Sequence, residues 1–435
     1  MKLNSLQLQN FRGFDSFELD LAQPVTLLVG RNACGKTAVL DAAAVALGAW
    51  MRGTTQAWSE DRSLQQSDAR LVRSESDGLP TAAPVFPVAV HASGLVAGQQ
   101  LTWTRELLRK GGRTTSGRAK RIRALARETE RAASDGDAAD LPLFAYYGTG
   151  RLWVQKRDKR RPGRLGSRMQ GYAACLETAS NTKLFQRWMA WREDDRIQRL
   201  AAAHEHGANL ASVHTPHLDA VANAARSCLE GVRRFYYSAN YRELRLELED
   251  GRLLPFDSLS DGQRSLVVLA ADIAWRAAQL NPHFGGDAPR RVEGVVLIDE
   301  VELHLHPAWQ RRVIDDLTRT FPRLQFIITT HSPQVVATAE ADWLRILTAE
   351  GVHRSDHVRG RDTNSILRDV MGVPDRPPWM VEWLRKVEVL VEQGRVDEAK
   401  TELTAIRALV GASDDWLTTL DWELQDLRVA NPGQG

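Results

Sequence analysis

The sequence predicts an α/β fold with a mixed and parallel sheet and flanking helices, and three observations predict it. A short apolar run, Val25-Thr26-Leu27-Leu28-Val29, stops at Gly30 and gives way to a helical pattern from Thr37 to Met51. A second apolar run, Val295 to Ile298, ends in two carboxylates, Asp299 and Glu300. A third, Phe326 to Ile328, is separated from the second by a helical pattern from Ala308 to Phe321, which makes a β-α-β unit.

Each element follows from its pattern. Leu3, Leu6, Leu8, Phe17 and Leu19 alternate with polar residues and read as a short hairpin. In the helix after Gly30, Leu40, Ala43, Ala44 and Leu47 share one face and no proline interrupts. Residues 52–90 are polar and punctuated by Gly and Pro, so they read mostly as loop. Val85 to Thr104 reads as β-structure, and the strongly basic stretch from Arg105 to Ala133 as an exposed loop and helix. Leu143 to Tyr147 is strand-like and stops at Gly148. A second basic stretch runs from Arg151 to Arg168, and residues 169–233 read as helical. There Phe185, Trp188, Met189 and Ile197 suit one face, and Leu218, Val221, Ala225 and Leu229 another. Strand character returns from Arg234 to Leu254, and Ser260 to Leu280 reads as a helix. Beyond residue 360 the pattern is helical, with amphipathic sets Trp383, Val387, Leu390, Val391 and Ala399, Leu403, Ile406, Leu409.

Composition narrows the class. The 435 residues are 43% apolar, which supports a sizeable core and excludes wholesale disorder. No apolar run approaches the roughly 18 residues that cross a bilayer, and the start lacks the apolar core of a signal peptide. Cys34, Cys175 and Cys228 stand at unrelated spacings, with neither a disulfide framework nor a zinc pattern. A reduced, cytoplasmic setting without membrane contact is the expectation.

Gly30-Arg31-Asn32-Ala33-Cys34-Gly35-Lys36-Thr37 matches G-x-x-x-x-G-K-[ST] in full. Glycines let the backbone wrap close to phosphate. The amides of the loop and first helical turn favour anions. Lys36 suits the β- and γ-phosphates of ATP, and the Thr37 hydroxyl suits Mg²⁺. Asp299, at the end of its strand, suits Mg²⁺ through water. Glu300 is then placed to orient or deprotonate the attacking water. Ser260-Asp261-Gly262-Gln263 opens a helix, and Ser260 is a good N-cap. The same N-terminus, with Ser260, Gly262 and Gln263, can hold a γ-phosphate if a second subunit delivers the nucleotide. His331, after Thr329-Thr330, is either a structural histidine or a γ-phosphate sensor at the sheet's carboxyl edge. Glu302, His304 and His306 alternate in a way that also allows a separate metal site, though no further ligands stand nearby in sequence.

These segments, in this order, resemble the ABC-type ATPases of the RecF and SMC kind. Leu259 to Gln263 resembles their signature motif, with Asp261 in place of its first glycine. His331 resembles their switch histidine, and Asn10-Phe11-Arg12-Gly13-Phe14 a segment whose arginine lies near the nucleotide phosphates. Phe144 to Trp153, Leu297 to Gln310 and Phe321 to Val335 resemble a bacterial subgroup that includes the ATPase subunits of Septu and retron-associated anti-phage systems. The resemblance implies an ABC-type P-loop NTPase head with a helical insertion and a helical C-terminal tail. Its N-terminal lobe would span 1–150, a basic and helical insertion 151–235, the C-terminal lobe 236–358, and a partner-docking helical region 359–435. It also implies a head-to-tail homodimer, or a higher homo-oligomer, that sandwiches ATP between Gly30–Thr37 of one subunit and Ser260–Gln263 of the other. No Q-loop is assigned; Gln65 and Gln66 are weak candidates.

Two functions from different classes fit. One is the regulatory ATPase of an anti-phage assembly that controls a separately encoded HNH nuclease. The other is a DNA-binding ATPase of repair or chromosome maintenance. The basic stretches, with Trp153, read either as solvated faces or as a surface that tracks nucleic-acid phosphates. No second catalytic centre stands beside Glu340 and Asp342.

Overall fold

A computed structural model describes residues 1–21, 24–55, 62–76, 79–151, 167–178, 182–355, 357–411, 417–422 and 424. The chain divides into two compact units, Met1–Ile366 and Leu367–Gly435.

The first unit opens with an antiparallel hairpin, β1 (Lys2–Phe11) and β2 (Phe14–Asp20), with Leu6 opposite Leu19 and Leu8 opposite Phe17. β3 (Val25–Gly30) leads into α1 (Lys36–Met51). That helix is buried on every side except at Thr37, rather than along one stripe, because it is enclosed between two sheets. Residues 52–90 hold more than loop. β4 (Leu71–Ser76) and β5 (Leu79–Pro84) form an antiparallel ribbon. Pro80 and Pro84 hide it from a pattern search, yet a two-stranded ribbon leaves proline an edge to occupy.

β6 (Val88–Val96) and β7 (Gln99–Leu107) complete a four-stranded antiparallel sheet in the order β2-β1-β6-β7. Arg105, expected in an exposed loop, lies in β7 and is fully buried. Its guanidinium donates to Val45 O (3.1 Å) and Arg62 O (2.8 Å), so hydrogen bonds replace lost water. α2 (Lys120–Ser134) buries Ile122, Leu125 and Ala126.

β8 (Leu143–Tyr147) precedes α3 (Thr182–Glu205) and α4 (Pro216–Ser227). Phe185, Trp188 and Met189 are buried as expected, but Ile197 is 42% exposed, on a stretch of α3 crowded with charged residues. A small antiparallel sheet joins β9 (Val232–Ser238), β10 (Glu243–Leu248) and β11 (Leu253–Pro255). α5 (Asp261–Leu280) follows, then β12 (Gly294–Ile298). The expected helix from Ala308 to Phe321 is broken into α6 (Pro307–Gln310) and α7 (Val313–Thr320), because Arg312 leaves helical geometry at φ −125°. β13 (Leu324–Thr329), β14 (Leu344–Leu347) and β15 (Val352–His353) complete the central sheet.

That sheet runs β15-β14-β3-β13-β12-β8. All its pairings are parallel except β14 with β15. β3, β8, β12 and β13 are buried at every position, which explains their continuous apolar runs. Because they are parallel, the residues after Gly30, Tyr147, Ile298 and Thr329 emerge along one edge. Gln325 joins the two large sheets: its side chain accepts from Leu3 N and donates to Leu3 O, both at 2.7 Å.

The second unit packs α8 (Pro378–Glu392) and α9 (Val396–Val410) around Met380, Val387, Leu390, Ala399, Leu403 and Ile406. Leu409, expected on this face, is 78% exposed in the last turn of α9. No helix among the described residues is long and apolar enough to cross a membrane.

Candidate nucleotide site

Gly30 to Thr37 turns from β3 into α1 at the carboxyl edge of the central sheet. The turn needs left-handed backbone at Ala33 (φ 64°) and Gly35 (φ 97°). A Cβ on Gly35 would lie 2.3 Å from the Phe14 ring, so this position excludes a side chain on both counts. Arg31, Asn32, Ala33 and Thr37 face solvent, Cys34 and Gly35 are half-buried, and Lys36 is buried. Lys36 Nζ arches back over the loop and donates to Gly30 O (2.8 Å) and Arg31 O (2.9 Å). No side chain caps α1, so its first-turn amides remain donors for an anion.

Thr37 Oγ1 donates to Asp299 Oδ2 at 2.9 Å across 262 positions of chain, a meeting that only the sheet order produces. Thr329 Oγ1 donates to Asp299 Oδ1 (2.6 Å) and accepts from Glu300 N (2.8 Å). Asp299 N donates to Tyr147 O at 2.8 Å, which ties the acidic turn to β8. Glu300 is half-buried with left-handed backbone, φ 47°.

His331 stands on the same edge, and Glu302 holds its backbone. The Glu302 carboxylate accepts from His331 N (2.5 Å) and Thr330 Oγ1 (2.8 Å). His306 Nδ1 accepts from Ala308 N (3.3 Å) as the cap of α6. Among the described residues no group of three or more His, Cys, Asp or Glu is arranged to hold a metal, so Glu302, His304 and His306 do not assemble one.

Ser260 caps α5 and is exposed, and Gln263 closes the reciprocal capping box. Gly262 is buried against the segment that follows Glu300; a Cβ there would lie 2.4 Å from His304 O. Arg12 meets two carboxylates: Asp41 at 2.6 Å and Asp68 at 3.0 Å. Arg62 also pairs with Asp41 (3.2 Å). Gln65 and Gln66 belong to the short turn that presents Asp68, with Gln65 N donating to Asp68 at 2.9 Å.

Sequence reasoning missed three parts of this site. Glu302 supports His331 rather than a metal. Tyr147 donates to Asp272 Oδ2 (2.6 Å), which also takes Arg276 Nε (2.8 Å), so a buried ion pair and a phenol fix α5 to β8. Arg151 lies beneath the acidic turn. Burial and then nearby carboxylates push the Tyr146 and Tyr147 phenols well above their ordinary range.

The basic stretches divide. Arg151 is buried, and the half-buried Arg168 donates through Nε to Leu280 O at 2.7 Å. Residues 152–166, with Trp153, lie outside the described residues. On α2, Arg123, Arg127 and Arg131 line a cavity of about 570 Å³ together with Arg52 and the carboxylates of Glu130 and Asp135.

The family model "AAA domain, putative AbiEii toxin, Type IV TA system" matches residues 117–337, half of the chain. The chain belongs to this AAA family. A second AAA-domain model matches residues 5–205 and takes in Gly30 to Thr37. Two relatives extend along most of the chain. "Retron Ec83 probable ATPase" of Escherichia coli is 25% identical over 98% of this chain and 87% of its own length. "Retron Vc95 probable ATPase" of Vibrio cholerae serotype O1 biovar El Tor is 23% identical over 92% and 86%. "Septu protein PtuA" of Bacillus thuringiensis is 30% identical over 32% of this chain and 37% of its own.

Proposed function

We propose that this AAA protein binds ATP with Mg²⁺ at Gly30–Thr37 and hydrolyses it. The observation that carries the reading is the Thr37–Asp299 contact at the mouth of the loop. A hydroxyl and a carboxylate there are oxygen donors of the kind a hard divalent cation takes. The uncapped amides of α1 and the buried Lys36 ammonium suit phosphate oxygens. Mg²⁺, when bound, neutralises charge on the β- and γ-phosphates.

The chain's own groups do the rest. Lys36 exchanges the carbonyls of Gly30 and Arg31 for phosphate oxygens. Glu300 orients the attacking water and accepts its proton. His331, with its backbone fixed by Glu302, reads the γ-phosphate. Positioning and charge neutralisation supply most of the acceleration. The exposed Ser260 end of α5 supports a second role: with Gly262 and Gln263 it completes the site of a second copy, so that ATP gates a dimer. Phosphate release with Mg²⁺ tests the chemistry. Glu300→Gln should abolish turnover and retain nucleotide; unchanged hydrolysis refutes the choice of base.

The retron and Septu names of its relatives support a place in anti-phage defence, with the ATPase regulating a separately encoded nuclease. Trp379 and Leu409, exposed on the second unit, offer apolar surface for such a partner. Co-purification with the product of the adjacent gene tests this. One observation favours the other reading, a DNA-binding ATPase of repair: the arginine-lined cavity on α2. Tight, salt-sensitive, ATP-dependent duplex binding by the chain alone would decide for it.

A further inference from the structure

Arg151 is an arginine with almost no water around it: 3% of it is exposed. Burial brings its pKa down to about 10, against which the Glu302, Asp299 and Glu300 carboxylates act, so it remains a cation at neutral pH. A buried guanidinium persists where its donors are spent, and these are. Nη1 donates to Asp299 O (2.9 Å) and Nη2 to Glu300 O (3.0 Å). Nε donates to Ser265 Oγ at 3.1 Å. Ser265 lies on α5, one turn beyond Gly262.

This geometry holds the Glu300 backbone on both sides of its Cα. Its N–H is fixed by Thr329 Oγ1, and its carbonyl accepts from Arg151 Nη2 and from Leu303 N, both at 3.0 Å. Between them the backbone sits in a left-handed conformation, φ 47°, that glutamate rarely adopts. A strained peptide of this kind keeps its shape only while its surroundings over-determine it. The same guanidinium reaches the helix that Ser260 heads, so a shift of α5 pulls on the turn that aims Glu300.

We infer that Arg151 is a positioning residue that couples the Ser260 end of α5 to the backbone of Glu300, within one subunit. It touches no nucleotide. In the dimer proposed above, Ser260 serves one ATP and Glu300 the other, so Arg151 links the two sites. The inference deepens that reading and rests on it.

The test compares Arg151→Lys, Ser265→Ala and the double variant in the full-length protein. Arg151→Lys keeps the charge and loses the planar fork. Its kcat should fall, by up to about 100-fold for a misplaced base, while the affinity for a fluorescent ATP analogue and the melting temperature stay near wild type. Ser265→Ala should give a smaller fall. The double variant should be no worse than Arg151→Lys alone, because both break one linkage. Unchanged kcat in Arg151→Lys overturns the inference. So does a kcat loss matched by lost nucleotide affinity or lost melting temperature, or strictly additive effects of the two substitutions. Glu300→Gln is the control. If it still hydrolyses ATP, the functional reading fails, and the role of Arg151 fails with it.

Discussion

Asp272→Asn should unsettle the first unit more than any surface change, and the reason is countable. Asp272 and Arg276 are 6% and 4% exposed, one turn apart on α5, with Oδ2 2.8 Å from Arg276 Nε. The same oxygen accepts from Tyr147 at 2.6 Å. Asparagine keeps the shape and one acceptor but removes the charge. Arg276 then stays buried as an uncompensated cation, with Gly171 O (2.9 Å) and Ala173 O (3.0 Å) as its remaining partners. Breaking a buried pair in this way costs about 3–5 kcal/mol. Tyr147→Phe removes one hydrogen bond to a charged group and should cost less, about 1.5–3 kcal/mol. Replacing both ions, Asp272→Leu with Arg276→Met, should cost less than the two single replacements summed, because no charge is stranded and only the Tyr147 hydroxyl loses its acceptor. The assay is denaturant unfolding followed by tryptophan fluorescence, with an unchanged slope as the check that midpoints report stability. A loss below about 1 kcal/mol for Asp272→Asn, or a double replacement as damaging as the two singles summed, refutes the argument.

The remaining expectations are briefer. Tyr146, Tyr147 and Tyr172 are all buried, and burial raises each phenol above its ordinary value of 10. The unfolded chain releases these protons above pH 10 while the folded chain keeps them. Stability is therefore full below pH 10 and falls as pH rises beyond it, by roughly 1.4 kcal/mol per pH unit for each tyrosine. A pH titration of the unfolding midpoint that stays flat past pH 10 would contradict this. Arg12→Ala should cost about 1.5–3 kcal/mol of stability, since it strips the buried Asp68 of its cation. A large affinity loss at unchanged stability would instead return Arg12 to the phosphates.

The sheet was legible because its strands are buried on both faces, which turns position in the fold into uninterrupted apolar runs such as Val25–Val29 and Val295–Ile298. The P-loop was legible because it is contiguous. What escaped was polar and distant. Arg105, Arg151 and the Tyr147–Asp272 contact join residues 60, 149 and 125 positions apart, and nothing local marks a buried arginine as buried. The break between α6 and α7 carries no Gly or Pro; it falls at Arg311-Arg312. The spacing of Glu302 to two histidines allowed a metal site without requiring one, and its carboxylate instead accepts from the His331 amide and the Thr330 hydroxyl. Ile197 and Leu409 show the limit of periodicity, which says which residues share a face and not where the neighbouring surface ends.

The central claim is that a complete ATP site joins Lys36 and Glu300 of one subunit to Ser260 of another. Subunit mixing tests it directly. Lys36→Ala and Ser260→Arg variants should each be inactive in phosphate release, and mixing them should restore activity, because a mixed dimer holds one intact site. A mixture as inactive as its two parents, from variants that still fold and still associate, would contradict the account.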